Sequence, residues 1–295
     1  MILTVTLNAA LDVTYQVDAL VVHGTNRARD VHQRAGGKGI NVARVLQALG
    51  QDVVITGLAG GGTGADIRRD LAIAPLRDEL VDVAGESRRT VTIVDTDATV
   101  VNEPGPVVGP DEWAGFVRRF AQLAPTADVV VLAGSLPPGV PVDGYAILGA
   151  ASGAPVLLDT SGPALRAGLA AHPAVVKPNR DELAEIADSP SALRAKGAGA
   201  VVVSAGADGL VAVTGEGSWR ARPAERVAGN PTGAGDAVVA ALAAGLATGD
   251  PWPDRLRDAV ALSAATVLHP VAGAFDADAY ARFRPTVTVE EIPCP

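Results

Sequence analysis

Short apolar runs alternate along the chain with segments in which apolar residues recur every three or four positions. The runs at 2–7, 52–57, 129–133, 156–159, 174–176 and 201–204 are rich in Val, Leu and Ile and predict buried strands. The periodic segments at 40–49, 65–73, 110–123, 163–170, 179–187, 234–247 and 252–268 predict helices. Strands and helices in this alternation predict an α/β fold, a mainly parallel, doubly wound sheet covered on both faces. Two stretches break the rhythm. Residues 14–32 and 90–102 alternate in strand fashion, as in Thr90-Val-Thr-Ile-Val-Asp-Thr96, with no helix between neighbouring strands. They predict antiparallel ribbons that together form a small sheet beside the main one, placed to cover a ligand, a second subunit, or both. No internal repeat, low-complexity tract or Pro/Ser-rich linker interrupts the chain. A single domain with a lid is therefore expected, rather than two independent domains.

Composition narrows this picture. Of the 295 residues, 48% are hydrophobic and 19% charged, the balance of a packed globular chain, while aromatics are only 3%. The core must then be built from Ala, Val, Leu and Ile. A net charge of −9 argues against a general nucleic-acid or anionic-membrane partner, so an anionic ligand needs a local cluster of Lys and Arg. One cysteine, Cys294, excludes an intrachain disulfide and a Cys-based metal cluster. His23, His32, His172 and His269 show no ligand spacing. No leader and no membrane span are apparent, and a cytoplasmic location is expected.

Three Gly-rich segments fall where a predicted loop enters a helix. In Gly36-Gly-Lys-Gly-Ile-Asn41 the glycines let the backbone approach a ligand, the helix start favours anions, Lys38 adds a full charge and Asn41 can bond a hydroxyl. The spacing alone is met equally by a Gly-rich turn with a solvated lysine. Asn230-Pro-Thr-Gly-Ala-Gly-Asp236 places Asp236 in the first turn of an Ala-rich helix. Carboxylates are common there for electrostatic reasons. The same arrangement also suits phosphoryl transfer to an alcohol, with backbone donors for the moving charge and a carboxylate to take the proton. The third segment, Gly60-Gly-Gly-Thr-Gly-Ala65, fits the dinucleotide pattern G-x-G-x-x-A, with Glu79 and Asp82 at roughly the expected distance. That fingerprint belongs after the first strand, which here runs into Asn8-Ala-Ala-Leu-Asp12 instead. No G-x-x-x-x-G-K-[ST] sequence occurs, so a P-loop is excluded.

Seven motifs in order identify a resemblance over essentially the full length. They are Thr6-Leu-Asn-Ala-Ala-Leu-Asp12, Gly36-Gly-Lys-Gly-Ile-Asn-Val-Ala-Arg44, Gly134-Ser-Leu-Pro-Pro-Gly139, Leu158-Asp-Thr-Ser-Gly162, Lys177-Pro-Asn-Arg-Asp-Glu182, Val203-Ser-Ala-Gly-Ala-Asp-Gly209 and the segment ending at Asp236. The chain resembles the PfkB (ribokinase-like) carbohydrate kinases, and within them the branch of 1-phosphofructokinase and tagatose-6-phosphate kinase. The resemblance implies a ribokinase-like three-layer α/β/α fold with a mainly parallel central sheet and a small β-sheet lid. It would be one kinase domain over residues 1–295, with lid strands inserted at about 12–34 and 88–103.

The implied activity is ATP-dependent phosphorylation of a ketohexose phosphate. Fructose 1-phosphate is the first choice of substrate, with tagatose 6-phosphate or fructose 6-phosphate as the alternative. A non-enzyme alternative is a silent sugar-phosphate-binding protein of the same fold. By the same resemblance Asp236 is the base, and the amides of Gly233, Ala234 and Gly235 form an anion hole. Asp12, Gly37 and Asn41 grip sugar hydroxyls. Arg27, Lys38, Arg88 and Ser135 hold the phosphate already on the substrate, with Arg89 a competitor for Arg88. Lys177, Asn179, Ser204, Gly206, Gly209 and Thr232 line the ATP, and Asn179 and Glu182 hold Mg²⁺ through water. The implied partners are ATP, a sugar phosphate and a second copy of the chain, forming a homodimer through the lid.

The chain departs from the family pattern at Ala9, where Pro is usual, and at Thr90, where 1-phosphofructokinases often carry Asn. It is also short between Ala187 and Gly199, and it lacks the usual Gly-Ile pattern near 72–80. The Thr90 change loosens the choice of sugar.

Overall fold

A computed structural model describes residues 1–294. Its strands are β1 (Ile2–Thr6), β2 (Ala10–Gln16), β3 (Asp30–Gly36), β4 (Val53–Gly60), β5 (Arg77–Val83), β6 (Arg88–Val94) and β7 (Ala98–Asn102), followed by β8 (Val129–Ala133), β9 (Val156–Asp159), β10 (Val175–Val176), β11 (Ala200–Ser204), β12 (Leu210–Val213), β13 (Ser218–Arg222) and β14 (Thr288–Glu291). Among the described residues ten strands form one sheet in the order β14-β13-β12-β11-β10-β9-β8-β1-β4-β5. Pairing is parallel from β11 through to β5 and antiparallel across β12, β13 and β14.

The uninterrupted apolar runs explain the central position of β1, β8 and β9, which are buried on both faces. Ile2, Val129, Val131 and Leu157 pack into one core with helices Lys38–Ala48, Ala234–Thr248 and Trp252–Val267. Their neighbours Leu3, Val130, Leu132 and Leu158 point into a second core with Phe116 and Phe120 of helix Pro110–Leu123 and with Tyr145. Strand alternation therefore builds three layers from a sequence with few aromatics. No helix among the described residues is long and apolar enough to cross a membrane.

The two ribbons predicted from alternation form a separate four-stranded sheet, β3-β2-β6-β7. Each ribbon is antiparallel, and the two join through a parallel β2–β6 contact. One face of β2, with Leu11 and Val13 buried, lies over helix Gly61–Ile73. The opposite face carries Asp12, Thr90 and Arg88. One expectation is corrected here. The run into Asn8-Ala-Ala-Leu-Asp12 predicts a first strand that reaches Asp12; instead β1 stops at Thr6, the chain turns through 7–9, and Asp12 lies within β2. The predicted helix at 179–187 shortens to Arg180–Ala184, with Asn179 as its N-cap.

Candidate active site

The parallel strands of the main sheet all end at one edge, which is where α/β proteins collect ligands. Asn8 follows β1, Gly134 and Ser135 follow β8, Asp159 ends β9, Lys177 follows β10 and Ser204 ends β11. The turn 230–236 meets this edge from the opposite core. Gly233 adopts φ 84°, a left-handed conformation natural to glycine, and caps helix Ala234–Thr248. A Cβ there would also stand 3.1 Å from the Ala272 Cα. Asp236 in the first turn is buried, and its Oδ2 accepts a hydrogen bond from Asn41 Nδ2 at 2.9 Å. The amides of Gly233 and Gly235 have no hydrogen-bond acceptor among the described residues. The Ala234 amide, expected as a third anion-hole donor, is already engaged, because the turn closes on itself by an Ala234 N–Pro231 O bond of 3.1 Å.

Asp159 lies at the centre of the charge arrangement. Its fully buried carboxylate receives Lys38 Nζ at 3.3 Å and Lys177 Nζ at 3.2 Å. Lys177 Nζ also lies 3.7 Å from where a Cβ of Gly235 would be. Burial pulls the Lys38 ammonium down, but Asp159, then Asp236 and Glu182, hold it above its ordinary value. The resemblance put Lys38 with the substrate's own phosphate. In the structure its amine lies against the Asp159 carboxylate. For Asp236, burial first and the like charge of Asp159 second push the pKa to about 6, against Lys38, Asn41 and Lys177. A carboxylate poised in this range accepts a proton near neutrality better than an ordinary aspartate.

The small sheet brings a second cluster to the same edge. Gly37, at φ 103°, caps helix Lys38–Ala48, and a Cβ on neighbouring Gly36 would stand 1.9 Å from Asp12 Oδ2. Asp12 thus rests on the loop that launches Lys38 and Asn41. Burial lifts its pKa to about 6, despite a Thr90 hydrogen bond and the charges of Arg88, Arg34 and Arg44. Arg88 Nε donates to Asn8 O at 3.2 Å, and Nη1 donates to Thr90 Oγ1 at 3.3 Å. Alternation along β6 decides between the tandem arginines: Arg88 shares the Asp12 face, while Arg89 pairs in register with Leu11 and is exposed. Asn8 Nδ2 donates to Ser135 Oγ at 3.1 Å, so Arg88, Asn8 and Ser135 form one cluster. Arg27 is not gathered into it. It lies in the exposed connection between β2 and β3 and makes no hydrogen bond or ion pair among the described residues.

Asn179 and Glu182 form a reciprocal capping box. Glu182 N donates to Asn179 Oδ1, and Asn179 N donates to Glu182 Oε2, each at 2.8 Å. No group of three His, Cys, Asp or Glu that could hold a metal occurs among the described residues. This donor set does not fit a dedicated protein cage. It does fit Mg²⁺ that arrives with phosphates and keeps its waters, with Glu182 Oε1 still open.

Asn179 bridges to Ser204, and Gly206 at φ 55° follows in the turn between β11 and β12. Gly209 is fixed by packing, since a Cβ there would lie 2.0 Å from Ala221 O. Thr232 is exposed, and its amide is taken by Asn230 Oδ1 at 3.0 Å. The segment 60–65 holds no external anion site. Glu86 fills that helix start, accepting from Gly62 N and Thr63 N.

Sequence reasoning missed Asp159, Asn8 and Tyr145 as site residues. The Tyr145 hydroxyl donates to Gly134 O at 3.0 Å and steadies the turn carrying Ser135. An aspartate closing an apolar run, as in Val-Leu-Leu-Asp159, was a signal available in the sequence.

Residues 5–278 match the profile described as pfkB family carbohydrate kinase. The chain belongs to this family. Phosphofructokinase-2 from Escherichia coli, solved with potassium, superposes with a TM-score of 0.90 at 28% identity, covering 96% of this chain and 98% of that one. A possible 1-phosphofructokinase from Thermotoga maritima gives 0.88 at 28% identity, covering 99% of each chain. A provisionally assigned phosphofructokinase from Staphylococcus aureus gives 0.84 at 30% identity over the whole of both chains. This carbohydrate kinase therefore has the three-layer ribokinase-like architecture of its family, and the three neighbours named above are described as phosphofructokinases, two of them provisionally. The E. coli enzyme is also known in a tetrameric inhibited form.

Proposed function

We propose that this carbohydrate kinase transfers the γ-phosphoryl of ATP to a ketohexose phosphate, with fructose 1-phosphate as the acceptor converted to fructose 1,6-bisphosphate. One observation carries the reading: a buried carboxylate, Asp236, raised toward neutrality and oriented by Asn41, beside the open amides of Gly233 and Gly235. In this reading Asp236 takes the proton as the sugar hydroxyl attacks. The two amides and Lys177 face the negative charge of the moving phosphoryl, and Lys38 releases part of its hold on Asp159 to meet it. Asp12 grips a sugar hydroxyl beside Gly37 and Asn41, and Arg88 with Ser135 takes the phosphate the sugar already carries. Mg²⁺ brought in with ATP and held through water by Glu182 and Asn179 would neutralise phosphate charge when bound. Lys177, Ser204, Gly206, Gly209 and Thr232 line the nucleotide, and Ala234 shapes the turn.

The small sheet acts as the lid of a single domain. Its exposed Tyr15, Val31 and Val101 share one face by register and offer an apolar surface to a second copy of the chain, which would bring Arg27 to the site. Likeness to phosphofructokinase-2, which has been solved with fructose 6-phosphate, supports fructose 6-phosphate as the second acceptor to test.

The deciding experiment is an ATP-dependent panel of fructose 1-phosphate, fructose 6-phosphate, tagatose 6-phosphate and unphosphorylated sugars, run on the wild type and on Lys38→Ala. The highest kcat/KM is expected for fructose 1-phosphate. Equal kcat/KM for free fructose would overturn the sugar-phosphate assignment, and binding without turnover would overturn the kinase assignment. Lys38→Ala is expected to lower kcat for every acceptor; loss confined to phosphorylated acceptors would place Lys38 at the substrate's phosphate instead.

The pH dependence has a definite sign. Asp236 and Asp12 both titrate near 6 in the free enzyme and both act ionised. We therefore expect kcat/KM to be flat above about pH 7 and to fall below about 6 with a slope steeper than one proton. A profile flat down to pH 5 would contradict both assignments.

A further inference from the structure

Among the described residues, Arg34 is the one charged residue of the small sheet with a hydrogen bond to the segment packed behind the transfer turn. It lies on β3 directly opposite Asp12 of β2, and its Nη1 donates to Ala272 O at 2.9 Å. The segment 270–273 is wedged between the two halves of the site. On one side the Ala272 Cα would touch a Cβ on Gly233 at 3.1 Å, and Asn230 Nδ2 donates to Pro270 O at 2.9 Å. On the other side a Cβ on Gly273 would meet the Asn41 Cα and the Arg44 Cδ, each at 3.1 Å. Neither Gly233 nor Gly273 has room for a side chain, so the segment packs closely on both sides, and a shift of Ala272 is felt at Gly233 and, through Gly273, at Asn41.

The neighbours of Arg34 hold it to that task. Ala35 N donates to Asp70 Oδ2 at 2.9 Å, and the same oxygen takes Arg44 Nη2, so β3, helix Lys38–Ala48 and helix Gly61–Ile73 share one carboxylate. Arg44 is buried and has an unpartnered Nε. Burial first and the like charge of Arg44 second press on the Arg34 guanidinium and hold it below its ordinary value, with Asp70 and Asp12 offsetting only part. Arg34 is thereby balanced between a carboxylate that grips sugar and a carbonyl that backs the anion hole.

We propose that Arg34 is a positioning residue that couples the small sheet to the phosphoryl-transfer turn, passing the movement that closes Asp12 and Arg88 over the sugar through Ala272 to Gly233 and Asn41. This rests on the kinase reading above. The coupling makes the amides of Gly233 and Gly235 and the Asn41–Asp236 hydrogen bond reach their working geometry only when the sheet is seated. A sugar phosphate in place would prepare the turn for ATP, and a vacant sugar site would leave it looser.

The test is amide hydrogen exchange on the ligand-free full chain, comparing wild type, Arg34→Met and Arg34→Lys, with steady-state kinetics on the same proteins. In Arg34→Met the hydrogen-bonded amides that frame the two segments, Ala234, Ala237 and Val271, are expected to exchange several-fold faster, while those of β8 and β9 stay unchanged. With fructose 1-phosphate, kcat is expected to fall about 10–100-fold from misplacement of the turn. KM for ATP should change by less than about threefold. Arg34→Lys, which keeps a charge and a donor on a shorter head group, is expected to recover exchange protection and kcat in step. Wild-type exchange at both segments in Arg34→Met would overturn the coupling. So would a defect confined to the KM of the sugar phosphate, which would reduce Arg34 to a partner of Asp12. The exchange arm needs no turnover, so a protein inactive on every sugar would refute the kinase reading while still deciding this one.

Discussion

Asp236→Asn is expected to lower kcat by about 10²–10⁴-fold, the range lost when a positioned general base is removed. The shape of the side chain is kept, and the amide oxygen can still accept from Asn41 Nδ2, so the turn should hold its geometry. Sugar-phosphate affinity should change little, because Arg88, Ser135 and Asp12 lie in a separate cluster. Stability supplies an internal control. A carboxylate whose pKa is raised to about 6 in the folded chain is less stable folded than unfolded once ionised. That burden is absent below its ordinary value near 3.8 and complete above about 6. At pH 8 the Asn variant should therefore unfold at the same temperature as the wild type or higher. Near-normal kcat would remove Asp236 as the base, while a large fall in unfolding temperature would show that lost activity reflects lost structure.

Asp159→Ala should be the most damaging single change to stability. Its carboxylate is fully buried between Lys38 and Lys177, and Lys177 is itself buried. Removing the shared partner leaves a desolvated ammonium with only Asp236 to turn to, and breaking such a pair costs about 3–5 kcal/mol. A urea titration at pH 7 should show the midpoint falling by the corresponding amount with an unchanged slope. Asp159→Asn keeps the volume and should keep a folded protein for kinetics. Because the like charge of Asp159 helps raise Asp236, its removal should move the Asp236 limb of the pH profile to lower pH. Wild-type stability, or a limb that does not move, would contradict the central place given to Asp159.

The sequence carried most of the framework because its periodicities were unmixed. Val129–Ala133 and Val156–Asp159 have the bounds predicted from apolar runs, and helix Pro110–Leu123 follows from a proline start and an acidic first turn. Three strands at one edge of the main sheet were not legible. Ser218–Arg222 carries two arginines and Thr288–Glu291 is a charged, exposed edge, so neither presents the apolar run of a central strand; Leu210–Val213 does, but it follows β11 with no α-helix between and so falls outside the strand–helix rhythm. Helix Gly144–Ser152 escaped because it is apolar almost all round and gives no amphipathic stripe.

In the site, local motifs pointed to Asp236 and the glycines around it. What joins those motifs lies between distant positions: Asn41 to Asp236, two lysines to Asp159, and Arg34 to Ala272. No spacing rule encodes such pairs. The engagement of the Ala234 amide is equally a consequence of how its turn closes, whereas the Asn179–Glu182 cap follows the N-x-x-E spacing of a helix start.

The central claim is tested most directly by a crystal structure with fructose 1-phosphate and a non-hydrolysable ATP analogue. The account predicts the acceptor hydroxyl within about 2.6–3.2 Å of an Asp236 oxygen, with the γ-phosphate against the amides of Gly233 and Gly235. The sugar's own phosphate should lie against Arg88 and Ser135. An acceptor hydroxyl out of reach of Asp236, or a γ-phosphate lying away from that turn, would contradict it.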